Sequence, residues 1–165
     1  MPMVISDSST LIHLAAIGRL DLLRAFYGRI VVPPAVWEEV VDQGRERAGA
    51  VEVEQGKIAG WIEIQSATNQ PLLRLLEHEL DKGEAQAIAL AVEQPGALIL
   101  LDESDARQMA AVHNLHKTGA VGVLIRAKRE GKIELLRTEL DRLRGQGGFW
   151  IDERLYQQAL QSVGE

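Results

Sequence analysis

The chain has 165 residues, of which 46% are hydrophobic and 25% are charged. These are the proportions of one ordinary globular domain with a buried core, and they argue against a disordered chain. The absence of cysteine excludes a disulfide framework and a thiolate metal site. The net charge of −6 argues mildly against a basic nucleic-acid-binding face, although eight of the eighteen basic residues lie between positions 117 and 144.

The sequence also bears on location. It contains no apolar run long enough to span a bilayer. Its N-terminal residues lack the basic flank and the continuous apolar stretch of a signal peptide. We therefore expect a cytoplasmic protein that makes no contact with a membrane.

The first half of the chain alternates predicted strands and helices. A short β-prone run beginning at Val4 stops at Asp7, and apolar residues then recur at helical spacing until Gly18. The rest of this half is predicted to contain, in order, a helix ending at Gly28, a buried strand in RIVVPP, a helix from Pro34 to Gly44, a charged helical run from Glu46 to Lys57 and a half-exposed strand in WIEIQ.

The second half continues this alternation. It is predicted to contain, in order, helices in PLLRLLEHEL and GEAQAIALAVEQ, a buried strand in ALILLDE, a helix in SDARQMAAVHNL with Ser104 as its cap, a helix in VGVLIRAKREG, a charged helical run near TELDRLRG, a Gly147-Gly148 hinge and a last helix from Asp152 to Leu160. Such alternation predicts an α/β fold with a mostly parallel, helix-covered sheet. We expect one domain over residues 1–165, with a C-terminal helical extension from about residue 133.

Acidic residues occupy comparable places in four predicted elements. Asp7 ends the first strand, Asp102 ends the ALILL strand, and Glu84 opens a helix. Glu38 and Glu39 lie in the first turns of another helix. The carboxyl ends of parallel strands form the binding crevice of such folds, so Asp7 and Asp102 would end side by side if their strands are neighbours. Without a positive charge nearby, the two carboxylates would repel and raise each other's pKa. A hard cation such as Mg²⁺ or Mn²⁺, which binds carboxylate oxygens, usually offsets such a repulsion.

Each acid also has a purely structural interpretation. Asp7 and Asp102 precede helices and are suited to capping them, and Glu84 is favourable beside a helix N-terminus. Glu38 and Glu39 are compatible with a solvated helix face. Periodicity does not choose between these two, because both lie roughly 130° from the centre of the buried face, on opposite sides. The four acids together favour a metal site.

Five motifs, in this order, resemble those of the PIN-domain family. They are VISDSSTLI, VVPPAVWEEV, KGEAQAIALA, LILLDESDAR and GAVGVLIRAKREGKI, and they extend over nearly the whole chain. The chain is most similar to small prokaryotic PIN proteins related to the toxins of VapBC-type toxin–antitoxin pairs. The resemblance implies a three-layer α/β/α sandwich with a mostly parallel central sheet. It implies a nuclease that holds Mg²⁺ or Mn²⁺ on clustered acids and cuts RNA, with a small antitoxin as partner and a homodimeric assembly.

The resemblance also implies roles for individual residues. In VPPAVWEEV the family pattern favours Glu39 over Glu38. The implied catalytic and metal-binding residues are Asp7, Glu39, Glu84 and Asp102. Auxiliary roles are implied for Ser8, Glu103 and Asp105. The chain departs from many toxin-type members at Leu100 and Leu101, where they have Thr or Ser, and in DESDAR, where they have a pattern ending in Asp-Phe.

Several basic and aromatic residues are weaker candidates. Arg107 lies one helical turn beyond Glu103 and could orient a carboxylate or a phosphate. The basic run at Arg126, Lys128 and Arg129 is a candidate contact for a nucleic-acid backbone, with a solvated helix face as the alternative. His13 is interpreted as a packed or rim residue, and the tryptophans as core or interface residues.

Three functions are compatible with these residues. The leading hypothesis is a metal-dependent endoribonuclease that hydrolyses RNA phosphodiester bonds and serves as the toxin of a toxin–antitoxin pair. The alternative is a non-catalytic nucleic-acid- or protein-binding module on a degenerate PIN fold. A receiver-like phosphotransfer domain also clusters acids at strand ends, but it would require an acid beside Asp7, where this chain has Ser6, and a late lysine that is not evident.

Overall fold

The centre of the fold is a five-stranded sheet in which all strands are parallel. A computed structural model describes residues 2–146 and 148–165. The strands are β1 (Val4–Ser6), β2 (Ile30–Val32), β3 (Ile62–Ile64), β4 (Leu98–Leu100) and β5 (His116–Thr118). Their order across the sheet is β3-β2-β1-β4-β5. The chain therefore moves outward in one direction from β1 to β3 and in the other from β4 to β5, and this reversal between β1 and β4 is where α/β folds place their binding crevice.

Helices cover both faces of this sheet. Within the described residues they are α1 (Ser8–Ala16), α2 (Asp21–Tyr27), α3 (Pro34–Trp37), α4 (Ala50–Ile58), α5 (Gln70–Glu77), α6 (Lys82–Glu93), α7 (Ser104–Val112), α8 (Ala120–Arg129), α9 (Leu136–Gly145) and α10 (Glu153–Ser162). In the part of the chain described, none of them is both long and apolar enough to cross a membrane.

Two apolar cores separate the three layers. Successive strand residues point to opposite faces, so Val4 and Leu100 lie in one core while Ile5 and Ile99 lie in the other. The Ile5 core is completed mainly by α6 and α7, whereas α1, α8 and α9 pack into the Val4 core. The predicted α/β/α sandwich with a parallel sheet is confirmed.

The sequence-based boundaries are wrong in three places near the sheet edge. The segment His116–Thr118 forms edge strand β5, although its polar residues carry no strand signal. The regular part of β4 ends at Leu100, two residues before Asp102, while the Leu101 amide still donates to the Thr118 carbonyl at 2.8 Å. Ser104 is the first residue of α7 and not its cap, because Glu103 occupies the capping position with the extended backbone it requires.

The predicted helix from Pro34 to Gly44 changes its geometry part-way. After α3 the chain continues as a π-helical segment, Glu38–Asp42, in which the Gln43 amide donates to the Glu38 carbonyl five residues earlier at 2.8 Å. A helical wheel at 100° per residue does not describe this wider turn. Separately, the predicted Glu46–Lys57 helix begins only at Ala50, and Gly147 of the predicted hinge lies outside the described residues.

The C-terminal helices are tied to the rest of the fold by a buried charge. Glu139 on α9 is 4% exposed and accepts hydrogen bonds from Arg19 and Arg142. Arg142 also donates to the Ile17 carbonyl at 2.8 Å, at the end of α1. These contacts hold α9 against α1, whose opposite end carries the acids described next.

Candidate active site

Asp7 lies directly after β1 and is almost completely buried, with 1% of its surface exposed. One carboxylate oxygen, Oδ1, accepts a hydrogen bond from the Thr10 amide at 2.9 Å, so Asp7 does cap α1. The other oxygen, Oδ2, faces the Asp102 amide at 3.3 Å. Capping by Asp7 therefore leaves its second oxygen directed toward the neighbouring strand.

Asp102 lies beside Asp7 because β1 and β4 are paired neighbours. Their register places Ser6 opposite Leu100, and the Asp7 amide donates to the Leu100 carbonyl at 3.0 Å. The Asp102 side chain is itself nearly buried and accepts a hydrogen bond at Oδ1 from the Ala120 amide, the first residue of α8, at 2.8 Å. The sheet order thus brings together the two aspartates that the sequence places 95 residues apart.

The proximity of these carboxylates is electrostatically unfavourable. Burial, and secondarily the negative charge of Asp102, raises the pKa of Asp7 to about 8. The hydrogen bonds donated by Thr10 and Asp102 oppose this rise in pKa without cancelling it. A buried carboxylate with this pKa is the kind of group that concentrates at functional sites.

Glu38 and Glu39, the first two residues of the π-helical segment, have side chains in different environments. Glu39 is half-buried, and its Oε2 accepts a hydrogen bond from the Ser8 hydroxyl at 2.7 Å. Glu38 is exposed and accepts a hydrogen bond from the Gln43 side chain at 3.2 Å. Glu39 therefore lies beside the residue that follows Asp7, whereas Glu38 faces away from it.

Glu84 lies in the first turn of α6 and forms a capping box with Asp81. The Glu84 amide donates to Asp81 Oδ1 at 2.8 Å, while the Glu84 side chain turns back toward the Asp81 amide at 3.4 Å. Burial raises the pKa of Glu84 to about 7, with further contributions from Asp81 and Glu103. Glu84 therefore has the structural role at the start of a helix that the sequence also allowed. Its carboxyl group is in addition poorly solvated.

An acidic cleft of about 470 Å³ joins several of these carboxylates. Its acidic lining residues are Glu39, Glu79, Asp81, Glu84, Glu103 and Asp105. The Ser9 hydroxyl bridges toward Glu103 Oε1 at 3.4 Å. The two predicted auxiliary acids, Glu103 and Asp105, therefore share this cleft with Glu39 and Glu84. Asp7 and Asp102 are not among its lining residues, and the Ser8–Glu39 hydrogen bond is the contact that links the segment after Asp7 to the cleft.

His13 is a site residue that sequence reasoning missed. The sequence predicts only a packed or rim residue, whereas in the structure its Nδ1 also lies 2.7 Å from Asp102 Oδ2. The edge of its ring contacts Phe149, with ring centroids 4.7 Å apart and an interplanar angle of 65°. No sequence signal links His13 to Asp102, because the two are 89 positions apart. Both oxygens of Asp102 are consequently held in place by the protein.

Comparison with known families bears on the fold that carries these residues. A family model described as PIN domain matches residues 3–165. The chain belongs to the PIN-domain family. PIN domains are generally nucleases, and they typically use divalent metal ions. A comparison with curated proteins finds no significant match.

In this PIN domain Arg107 faces the same edge, but among the described residues it forms no ion pair or hydrogen bond with a carboxylate. Its Nη1 donates to the Leu101 carbonyl at 2.9 Å, which fixes the segment that leads into Asp102. Gly119 lies close to Asp102, to the Leu101 carbonyl and to Arg107. A Cβ atom on Gly119 would lie 2.4 Å from Asp102 Oδ1 and 2.8 Å from the Leu101 carbonyl oxygen. Only glycine allows α8 to begin this close to Asp102.

We expect Gly119→Ala to lower the free energy of unfolding by about 1–3 kcal/mol, because the methyl group displaces Asp102 or the start of α8. Urea unfolding measures the effect. Gly145→Ala is the matched control, since a Cβ atom there meets none of the described residues within 4 Å and the position is helical. This control is expected to be neutral or stabilising. Equal stability of the two variants would show that the Gly119 contact is not tight.

The basic run lies away from the acids. Arg126, Lys128 and Arg129 lie in the last turn of α8, whereas the first turn of that helix contacts Asp102. Arg126 pairs with Glu130 and lies over the Phe26 ring at 4.3 Å. Lys128 lies 3.6 Å from Glu165, and Arg129 faces the Ser162 carbonyl. The structure therefore does not bring these three predicted nucleic-acid-binding residues into the acidic cleft.

The arrangement of the carboxylates bears on metal binding. Over residues 2–146 and 148–165, no three acidic or histidine side chains are grouped closely enough to hold one ion. Glu39 is directed to Ser8 and Glu84 to Asp81, so each accepts from the protein. The chemistry of the potential ligands nevertheless fits a hard cation, since they are carboxylates. The negative charge of Asp102 contributes to the raised pKa of Asp7, and a bound cation would oppose that effect.

Proposed function

We propose that this PIN domain is a metal-dependent endoribonuclease that hydrolyses RNA phosphodiester bonds. One observation carries the proposal: Asp7 and Asp102 lie side by side at the reversal of strand order, and the pKa of Asp7 is raised to about 8. Two neighbouring carboxylates that are largely buried repel each other when both are ionised, and a divalent cation would relieve this repulsion. Membership of the PIN family supports a nuclease.

Asp7 and Asp102 would hold the principal Mg²⁺ or Mn²⁺ ion, and Glu39 and Glu84 would complete its surroundings through water or hold a second ion. When bound, such an ion lowers the pKa of water and offsets the negative charge of the phosphate.

Other residues of the chain would orient these acids through hydrogen bonds. The Ala120 amide and His13 fix the two oxygens of Asp102, and the Ser8 hydroxyl positions Glu39. Hydrogen bonds of this kind orient metal-ligating carboxylates and tune their basicity. Asp7 is buried in an environment of low dielectric constant, where its electrostatic interaction with a bound cation would be stronger than in water.

The resemblance to VapBC-type toxins extends the proposal to a toxin, with a small antitoxin as partner and a homodimer as assembly. A short open reading frame immediately beside the gene would support the toxin–antitoxin pair, whereas an isolated gene would favour a free-standing ribonuclease.

The second candidate function is a non-catalytic binding module on a degenerate PIN fold. It is favoured by the absence, within the described residues, of three grouped metal-ligating side chains. The two candidates differ in metal dependence, because a binding module cleaves no RNA with or without Mn²⁺.

The test is cleavage of a mixed RNA pool with Mn²⁺ and with EDTA, by the wild-type protein and by two matched variants. We expect Glu39→Gln to reduce the cleavage rate about 10–100-fold, since the amide lacks the carboxylate charge. Glu38→Gln changes the neighbouring residue, which is exposed and faces away from Ser8, and should leave the rate unchanged. Cleavage that persists in EDTA, or equal rates for the two variants, would contradict the proposal.

A further inference from the structure

A second cavity, of about 750 Å³, adjoins the acidic cleft, with which it shares Glu103 and Ser104. Its lining includes Arg107, Lys117, Phe149 and Trp150. Asp102 belongs to its wall, and Glu103 lines both this cavity and the acidic cleft. Its volume lies within the range of about 300–1,000 Å³ typical of small-ligand pockets. A group seated here would therefore lie beside Asp102, one of the four proposed catalytic acids.

Trp150 behaves differently from the other two tryptophans. Trp61 is buried in the core, and Trp37 is half-buried with the Lys57 ammonium over its ring at 5.8 Å. Trp150 is 82% exposed, so of its two predicted places, core or interface, the core is wrong. Next to it, Phe149 is held by the edge of the His13 ring. An indole exposed to this extent beside an active site offers a free aromatic face, which is what nucleobases stack on.

Two cations, Arg107 and Lys117, line the cavity together with three carboxylates, Asp102, Glu103 and Asp152, and the two cations are the groups that can meet a phosphate. Neither Arg107 nor Lys117 forms an ion pair with a carboxylate in the part of the chain that the structure describes. Arg107 is already fixed through the Leu101 carbonyl. Asp152, on the cavity wall, is occupied in capping α10 through the Arg154 amide at 2.9 Å. In a chain of net charge −6, two such cations beside an exposed indole complement a strand that carries both bases and phosphates.

We propose that this cavity binds one unstacked nucleobase of a single-stranded RNA, adjacent to the phosphate that is cut. Trp150 stacks on the base, and Lys117 and Arg107 meet the neighbouring phosphate. The inference rests on the proposed ribonuclease function. It adds that Phe149, Trp150 and Lys117 on β5 bind the RNA strand, a role separate from that of the acids. It also predicts that single strands are preferred over duplexes, because a paired base cannot enter the cavity.

Binding is measured by fluorescence anisotropy with a short labelled single-stranded RNA in EDTA, so that no cleavage is needed. We expect Trp150→Ala to weaken binding about fivefold or more and Trp150→Phe to restore most of the affinity. Ile58→Ala is the matched control, because Ile58 is equally exposed at 81% and does not line the cavity. Lys117→Ala should reduce the slope of log affinity against log salt by about one.

A second probe tests the base itself. The same RNA with one abasic nucleotide should bind the wild-type protein more weakly when the gap falls at the stacked position, and Trp150→Ala should remove this difference. Unchanged affinity of Trp150→Ala, or an equal loss with intact and abasic strands at every position, would overturn the proposal. So would a Trp150→Ala variant that binds RNA normally and loses only self-association or binding of a protein partner.

These outcomes separate the cavity from the reaction. If the wild-type protein cleaves RNA with Mn²⁺ but Trp150→Ala binds normally, the base site is wrong and the ribonuclease proposal stands. If Trp150-dependent binding is found without any Mn²⁺-dependent cleavage, the base site stands on a binding module and the ribonuclease proposal fails. Thermal unfolding of each variant confirms that the exposed substitutions leave the fold intact.

Discussion

Asp7→Asn is expected to reduce Mn²⁺-dependent RNA cleavage about 100-fold or more. The change removes the buried negative charge that, with Asp102, would hold the cation, and a loss of about 3 kcal/mol of transition-state stabilisation corresponds to this factor. Asn is also a good capping residue, so its side-chain oxygen can still accept from the Thr10 amide. The fold should therefore survive while the rate falls, and single-turnover cleavage of labelled RNA measures the loss.

The control for this prediction is Asp21→Asn. Asp21 is exposed, lies in the first turn of α2 and is outside the acidic cleft, so the same chemical change should leave cleavage intact. Equal cleavage by wild type and Asp7→Asn would remove Asp7 from the mechanism. Loss of cleavage together with loss of cooperative unfolding would show instead that Asp7 is needed mainly as a helix cap.

Without a divalent cation, the protein is expected to lose stability as the pH rises from about 4 to about 8. The pKa of Asp7 is raised from 3.8 to about 8, so the folded state holds a proton that the unfolded state has released. The folded state binds more protons across this window, and the free energy of unfolding therefore falls with pH. Glu84 acts in the same direction, because its pKa is raised from 4.5 to about 7. Thermal unfolding in EDTA measures the decline.

Mn²⁺ should reverse this decline. At about hundredfold excess over its dissociation constant, a ligand of the folded state raises the melting temperature of a chain this size by about 5–10 °C. We expect the rise to be larger at about pH 8 than at about pH 5, because protonated Asp7 competes with the metal. Asp7→Asn should show both a flatter pH dependence and a smaller Mn²⁺ effect. The absence of any Mn²⁺ effect at about pH 8 would favour the non-catalytic binding module.

The fold was largely determined by local sequence patterns. Continuous apolar runs such as RIVV and ALILL, separated by helix-forming segments, are sufficient to specify buried parallel strands covered by helices. The exception is β5, because an edge strand buries little and its residues His116–Thr118 need carry no apolar signal. The positions of Asp7 and Asp102 after their strands could likewise be predicted, since strand ends are marked by where the apolar runs stop.

Only the tertiary structure decided which side chains meet. Periodicity left Glu38 and Glu39 equivalent, and the structure places Glu39 against Ser8 and leaves Glu38 exposed. His13 reaches Asp102 because β4 lies beside β1, and Trp150 is exposed because its segment lines a cavity instead of entering the core. The physical reason is common to all three. Backbone periodicity and burial are local properties, whereas contacts between distant residues depend on strand order and on packing across the whole domain. Sequence thus determined the layers and the acidic strand ends, and tertiary packing determined the partners of each acid.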